Sequence, residues 1–430
     1  MSKRTVLWIA FIVVHIGVAI LGWTMPNAPM GDVYNVYEPW SSAYFQGGWV
    51  LRDTSSIYDQ DTYVGFVGLN TSWVYPQLAI LPMLITWVFA WAVSYTPAWA
   101  IMITLVDAVA FSVLVGRGRS TGRVTAAWFW LAFIALLGPV ALYRIDAVTV
   151  PLGILGCLWL VGRPWLASIL LAIATWIKVW PAALLAAAFI AVRRRLVIVG
   201  GALAVSAATI GGVVLLGGAS HVFGFVGDQT GRGLQVESPI STFYLWDYRF
   251  NGTASSYVFY DPDLLTFEVT GPGVNTVIAI MTPLLLLAVF GIAALGAYKT
   301  WRGASFLALF PPLSLALVTA FISLNKVGSP QYIVWISVPL LVGLVLDRHR
   351  WWRPAVVGLV IALATQILYP LTYFDLLVAL PVPLVVITIR NALLLLLTVW
   401  AVVLLAKVRP HPKVSRAREV PARVDAASVL

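Results

Sequence analysis

The run Gly116-Arg-Gly-Arg-Ser-Thr-Gly-Arg123 separates two apolar stretches, 98–116 and 126–143. Each stretch is near the roughly 20 residues that a helix needs to cross about 30 Å of hydrocarbon, and arginines crowded into a short connection mark a cytoplasmic turn. Placing that turn inside fixes the side of every other connection. The chain has 430 residues, 61% hydrophobic and 10% charged, with a mean hydropathy of +0.92. A soluble domain of that composition would have too little polar surface to show to water. Read outward from the basic turn, apolar segments lie at 5–22, 98–116, 126–143, 147–161, 165–178, 182–192, 196–216, 277–298, 306–323, 332–346, 355–369 and 393–406. These predict an all-α polytopic membrane protein of about 12 transmembrane helices. The start Met1-Ser-Lys-Arg before an apolar run resembles a signal peptide, but no small-residue cleavage site follows Gly22, so 5–22 is read as a helix.

With Lys3 and Arg4 inside, the threading puts 20 of the 27 Lys and Arg on the inner side, and 13 of the 17 acids on the outer side. The net charge of +10 is therefore a topology signal rather than a nucleic-acid one. Segment 76–95 is long enough to span, but a full crossing there would turn every later basic loop outward. It is read as partly inserted, and 376–389 is read the same way. Residues 1–406 then form one transmembrane domain with two large outer loops, 24–75 and 217–275. A basic cytoplasmic tail, 407–430, is expected to be disordered.

Loops of this length between helices are commonly functional or folded in their own right. Both mix acids with aromatics, including Tyr44, Trp49 and Trp73 in the first, and Tyr244, Trp246 and Tyr257 in the second. That mixture suits sugar stacking, and equally an interfacial aromatic belt. The first loop carries Asp32 in Met30-Gly-Asp-Val-Tyr-Asn-Val-Tyr-Glu-Pro-Trp40. An acid at the lip of a bilayer is a functional candidate in a chain so poor in charge. Three outer turns bring cations to the same side: Arg144 with Asp146 in Leu-Tyr-Arg-Ile-Asp-Ala-Val, Lys178 just before Pro181, and Lys326 in Asn325-Lys-Val-Gly-Ser-Pro-Gln-Tyr332. Singly, each reads as snorkelling to headgroups; together they read as a phosphate-binding rim around an acid.

No P-loop or dinucleotide-binding glycine pattern is present, the four His are scattered, and Cys157 stands alone in an apolar helix. No cofactor is therefore expected. Asp59-Gln-Asp61 and Asp261-Pro-Asp263 keep a divalent metal open, although such pairs also arise in turns and caps.

Several short motifs recur in an order that resembles glycosyltransferase family 87. They are Asp32 with Tyr34, Val36 and Tyr37, then Gly47-Gly48, Ser56-Ile-Tyr58, Val74-Tyr75-Pro76, Arg144-Ile-Asp146, Ala172-Ile-Ala-Thr-Trp-Ile-Lys178 with Pro181, Arg193-Arg-Arg195, and Ser329-Pro-Gln-Tyr332. The resemblance covers roughly residues 28–346. It departs from the family where the aromatic pair stands one residue farther from the aspartate and where Gln77 replaces a second proline. It implies a GT-C-type bundle in the plasma membrane, with its active site on the extracytoplasmic side. The implied activity moves a sugar, mannose in the family's polyprenyl-phosphate-mannose-dependent enzymes, from a polyprenyl-phosphate donor to a glycolipid or cell-envelope glycan.

In such a transfer the leaving phosphate is already an anion. The barrier falls through a base that takes the acceptor proton, cations that hold the phosphate, and alignment of both on the anomeric carbon, which inverts. Asp32 is assigned as the base, with Glu38 as its rival. Lys178 and Lys326 are assigned to the donor phosphate, with Arg144 either joining them or paired to Asp146. Glu38, Tyr34, Tyr75, Asp146, Gln331 and Tyr332 are assigned to the sugar or acceptor. The expected partners are the lipid donor, the acceptor and membrane lipids, without nucleic acid. The alternative from another class is a lipid or solute transporter or flippase, for which broken helices such as that at Pro181 also speak; a membrane scaffold is the third reading.

Overall fold

The computed structural model describes residues 1–51, 60–262 and 264–409. Asp59, Asp263, the Ser56-Ile-Tyr58 motif and the tail from residue 410 fall outside them. About 73% of the chain is helical, which makes it an all-α polytopic membrane protein. Among the described residues, eight helices are long and apolar enough to cross a membrane: Lys3–Thr24, Tyr95–Val115, Thr121–Ala141, Arg195–Leu215, Val274–Trp301, Phe306–Ser323, Pro330–Leu371 and Pro381–Ala406. Four shorter apolar helices join them: Gln77–Ala90, Asp146–Trp159, Pro164–Ile177 and Ala182–Ala191.

The long run Pro330–Leu371 contains two of the expected spans. Its backbone leaves the helical region at Asp347 (φ −148°, ψ 77°). A Cβ on Gly343 would meet the Trp351 ring, and one on Gly358 would meet Leu340, so the two halves lie antiparallel as a hairpin about that turn. The expectation for 376–389 is corrected. Pro381 takes the first helical position, where its missing N–H is no loss, and the helix runs unbroken to Ala406. The residues read as a separate, partly inserted segment and those read as the last span are thus largely one element. The parity of the crossings is unchanged. By contrast, Ile80–Ala90 has 11 residues, on the order of 16 Å of helix, about half a bilayer. One face packs on Tyr95–Val115, while Leu81, Ile85, Val88 and Trp91 form an exposed apolar stripe.

Cross-contacts assign the helix ends to two faces. At one end, Lys299 Nζ donates to the carbonyls of Ala406 and Val408, and Gly118 lies against Arg4. This is the basic end, holding Arg117, Arg163, Arg193–Arg195, Arg302 and Arg348 as well. At the other end, Tyr143 lies against Gly22 and Tyr369 reaches Asn27. The two long connections fold at that second end. The first holds a short antiparallel pair, Trp49–Val50 with Thr62–Tyr63. The second holds the helix Ser241–Asn251 and a three-stranded antiparallel sheet in which Thr266–Thr270 lies between Leu234–Gln235 and Tyr257–Asp261.

One pair of parallel helices sets the depth of Lys178. Pro164–Ile177 packs along Arg195–Leu215, with Ser168 Oγ donating to the Ile198 carbonyl and Trp176 Nε1 donating to Ser206 Oγ at 3.0 Å. The shorter helix stops because Lys178 is extended (φ −151°, ψ 137°) and Pro181 follows. In that register Lys178 is level with about residue 208. The longer helix continues about seven residues farther, on the order of 10 Å. Lys178 therefore sits below the rim of the bundle.

Candidate active site

A cavity of about 630 Å³ opens at the end of the bundle away from the basic turns. That is the usual size of a small-molecule site. Its walls come from both long connections, from the turn before Asp146–Trp159, from Lys178, and from the segments around residues 328–332 and 369–374.

Asp32 begins a π-type turn, Val33–Tyr37, which widens the backbone and turns the carboxylate into the cavity. Arg144 Nη1 is ion-paired with Asp32 Oδ1, and Arg144 itself is 5% exposed. Tyr37 OH accepts from the Ile145 N–H at 3.0 Å and donates to Asp32 Oδ2 at 3.5 Å. Asp146 takes a different cation, with Lys178 Nζ 4.0 Å from its Oδ2. The fully buried Asp146 also accepts a 2.6 Å hydrogen bond from Trp335 Nε1. Lys178 Nζ lies over the Tyr75 ring at 4.5 Å and near Tyr332 at 6.0 Å, so aromatic faces supply part of the stabilisation that water would give it. Tyr332 stacks on Trp335 at 4.2 Å, and Trp335 on Trp180 at 5.7 Å.

The structure thus brings Asp32, Arg144, Lys178, Tyr75, Gln331 and Tyr332 to one cavity. Asp146 stands behind Lys178 rather than in the wall. Glu38, Tyr34 and Lys326 do not line the cavity either. Glu38 sits on the part of its helix that faces Tyr95. Lys326 is 8% exposed behind the wall, where its carbonyl accepts from the Gln235 N–H at 3.1 Å. Burial pushes the Lys326 ammonium down, while Glu268 beside it pulls the other way.

Arg232, Glu237 and Tyr369 are polar contributors that the sequence did not single out. Arg232 lines the cavity from the second connection, and its Nε is buried without a hydrogen-bond partner among the described residues. It faces Lys178, Lys326 and Tyr332. Glu237 also lines the cavity and is held by Arg390, whose Nη1 is 3.3 Å from Glu237 Oε2 and whose Nη2 donates to the Glu237 carbonyl at 2.6 Å. Burial pushes the Glu237 carboxyl up to about 7, against the pull of Arg390 and Arg144. Tyr369 completes the set beside Arg144. Arg232 and Glu237 lie in a loop of ordinary polarity and Tyr369 ends an apolar run, so none gives a local signal and only the tertiary fold places them.

A second buried polar cluster lies away from the cavity. Asp107 accepts from Trp130 Nε1 at 3.0 Å and meets His15 Nε2 at 3.0 Å, and His15 Nδ1 faces the Phe11 carbonyl at 2.9 Å. Asp107 therefore joins three helices.

Residues 73–242 match glycosyltransferase family 87. This stretch is shorter than half the chain and holds Tyr75, Arg144, Asp146, Lys178, Arg232 and Glu237, but not Asp32. Over these residues the resemblance read from the sequence is borne out, and it implies a membrane glycosyltransferase. No curated protein and no solved structure matches the chain.

Proposed function

With the similarity to family 87 as premise, we propose that this protein moves mannose from a polyprenyl-phosphate donor to a hydroxyl of a glycolipid or cell-envelope glycan. The reaction runs at the extracytoplasmic face of the plasma membrane. The observation that carries the reading is the convergence of one half-exposed carboxylate and three cations on a cavity set below the bundle rim. A lipid phosphate that stays in the bilayer reaches such a site without leaving the membrane.

In this reading Asp32 takes the acceptor proton. The Tyr37 hydroxyl and Arg144 place its carboxylate for that role. Arg144, Lys178 and Arg232 face the donor phosphate, where fixed positive charge stabilises the leaving group as the glycosidic bond breaks. Lys178 is held in place by Asp146, and Arg144 by Asp32 and Tyr369. Arg232 has its Nε buried without a hydrogen-bond partner among the described residues, a donor left for the phosphodiester, although Glu268 shares its surroundings. Tyr75, Gln331 and Tyr332 line the wall beside Lys178, where a sugar ring finds an aromatic face and an amide. Displacement from the side opposite the phosphate inverts the anomeric carbon.

Purified protein in lipid vesicles, given polyprenyl-phosphate mannose and a membrane glycolipid extract, should transfer label. Asp32→Asn should abolish transfer while the protein still accumulates, melting lower because the buried Arg144 loses its charged partner. Full activity in that variant removes Asp32 from the mechanism, and transfer from a nucleotide sugar but not from the lipid donor overturns the donor class.

A further inference from the structure

Tyr369 lies beyond the family-matched stretch and beyond every motif of the sequence reading, yet its hydroxyl touches both sides of the Asp32 environment. It accepts from Arg144 Nη2 at 2.9 Å. It also lies 3.3 Å from the carbonyls of Asn27 and Ala28, to which its own hydrogen is directed. Asn27 returns the contact by donating from Nδ2 to the Pro370 carbonyl at 2.5 Å. Asn27 and Ala28 are non-glycine residues in the left-handed region, with φ of 61° and 46°. Two such residues in succession persist only where the surroundings hold them. They begin the strap that leads from the helix Lys3–Thr24 to Asp32, four residues on from Ala28.

We propose that Tyr369 is a positioning residue for the transfer: it holds Arg144 by one nitrogen, leaving the other for Asp32, and pins the strap that carries Asp32. The proposal rests on the assignment of Asp32 as base. Arg144 is buried, and among the described residues its Nη2 has no acceptor other than the Tyr369 hydroxyl. Removing that hydroxyl leaves Nη2 with the Asp32 carboxylate as its nearest charged acceptor, so the guanidinium turns to grip Asp32 with both nitrogens. A carboxylate gripped in this way is a weaker base. The groups that face Asp32 are Arg144 and Lys178 as cations, and Tyr37, Tyr75 and Tyr369 as hydroxyls. Among them Tyr369 is the one whose loss redirects a charge.

The test uses the full chain in lipid vesicles with Tyr369→Phe. The expected result is a fall of about tenfold or more in kcat and an acid limb of the pH profile moved to lower pH. An unchanged limb with a lowered rate would mean a structural role only and overturns the proposal, as does full activity. A second measurement needs no activity. In a thermal-unfolding cycle of Tyr369→Phe with Arg144→Lys, coupled residues give a double-variant melting shift clearly smaller than the sum of the single shifts. Additive shifts overturn the proposal. Non-additive shifts in a protein that transfers no mannose would leave the contact standing and place the failure in the functional reading.

Discussion

Trp335 donates its indole N–H to Asp146 at 2.6 Å across 189 residues of chain, and Asp146 in turn faces Lys178. A hydrogen bond from an uncharged indole thus fixes the carboxylate that fixes the cation. Trp335→Phe leaves a buried carboxylate oxygen unsatisfied, which costs about 1–3 kcal/mol. The variant should melt lower in detergent, and donor KM should rise because Lys178 loses its fixed partner. An unchanged donor KM would detach Lys178 from donor binding.

Glu237 makes stability depend on pH in a calculable direction. Its carboxyl is raised from an ordinary 4.5 to about 7 by burial, with Arg390 opposing. The folded protein therefore keeps a proton that the unfolded chain gives up between those values. This contribution is fully present below about pH 4.5 and is lost as pH rises through about 7, an offset of about 3 kcal/mol. The melting temperature of the wild type should carry this decline between about pH 4.5 and 7, and Glu237→Gln should flatten it. Equal slopes in the two proteins would contradict the assignment.

Gly328 marks where the second connection meets the segment before Pro330. A Cβ there would collide with the Ser238 nitrogen and stand 2.5 Å from the Glu237 carbonyl carbon. Backbone cannot yield as a flexible side chain does, so Gly328→Ala should cost about 1–3 kcal/mol by overpacking. It should also loosen the cavity wall. Thermal unfolding and the donor KM together check this, and a neutral substitution would show that the two segments separate easily.

The buried cluster of His15, Asp107 and Trp130 should matter for folding and not for transfer. Asp107 accepts from Trp130 Nε1 and meets one ring nitrogen of His15, whose other nitrogen faces the Phe11 carbonyl. Asp107→Asn trades a carboxylate oxygen for an amide donor in this buried cluster, which leaves a polar group unsatisfied at a cost of about 1–3 kcal/mol. Trp99, whose ring lies 4.9 Å from that of Tyr37 beside the site, is eight residues before Asp107 in the helix Tyr95–Val115, which puts Asp107 on the order of 12 Å farther away. The folded fraction should keep its kcat. A kcat loss per folded molecule would tie this cluster to the chemistry.

The spans were legible because apolar length and basic turns are properties of local sequence, and the helices follow them nearly segment by segment. The start of the last helix was not, because Arg390 and Asn391 interrupt the apolar run at residues 390–391. In the structure both are buried against the second connection, through Glu237 and Thr242, and the helix continues past them. Asp32, Arg144 and Lys178 stood out because charge is scarce. Their pairing did not, since Arg144 and Asp146 are two residues apart and point to different neighbours. Arg232 and Tyr369 carry no local mark and reach the cavity only through contacts distant in sequence.

The unequal lengths of Pro164–Ile177 and Arg195–Leu215 amount to a depth gauge. The offset of about 10 Å sets how far below the end of Arg195–Leu215 an acceptor must reach, in the proposed transfer, before it is level with Lys178. On that reading, acceptors borne on a slender stem or anchored by their own lipid are expected to make the descent, and a broad polymer face is not. A one-turn insertion after Pro164 would lift Lys178 by about 5.4 Å, and the choice of acceptor should shift with it.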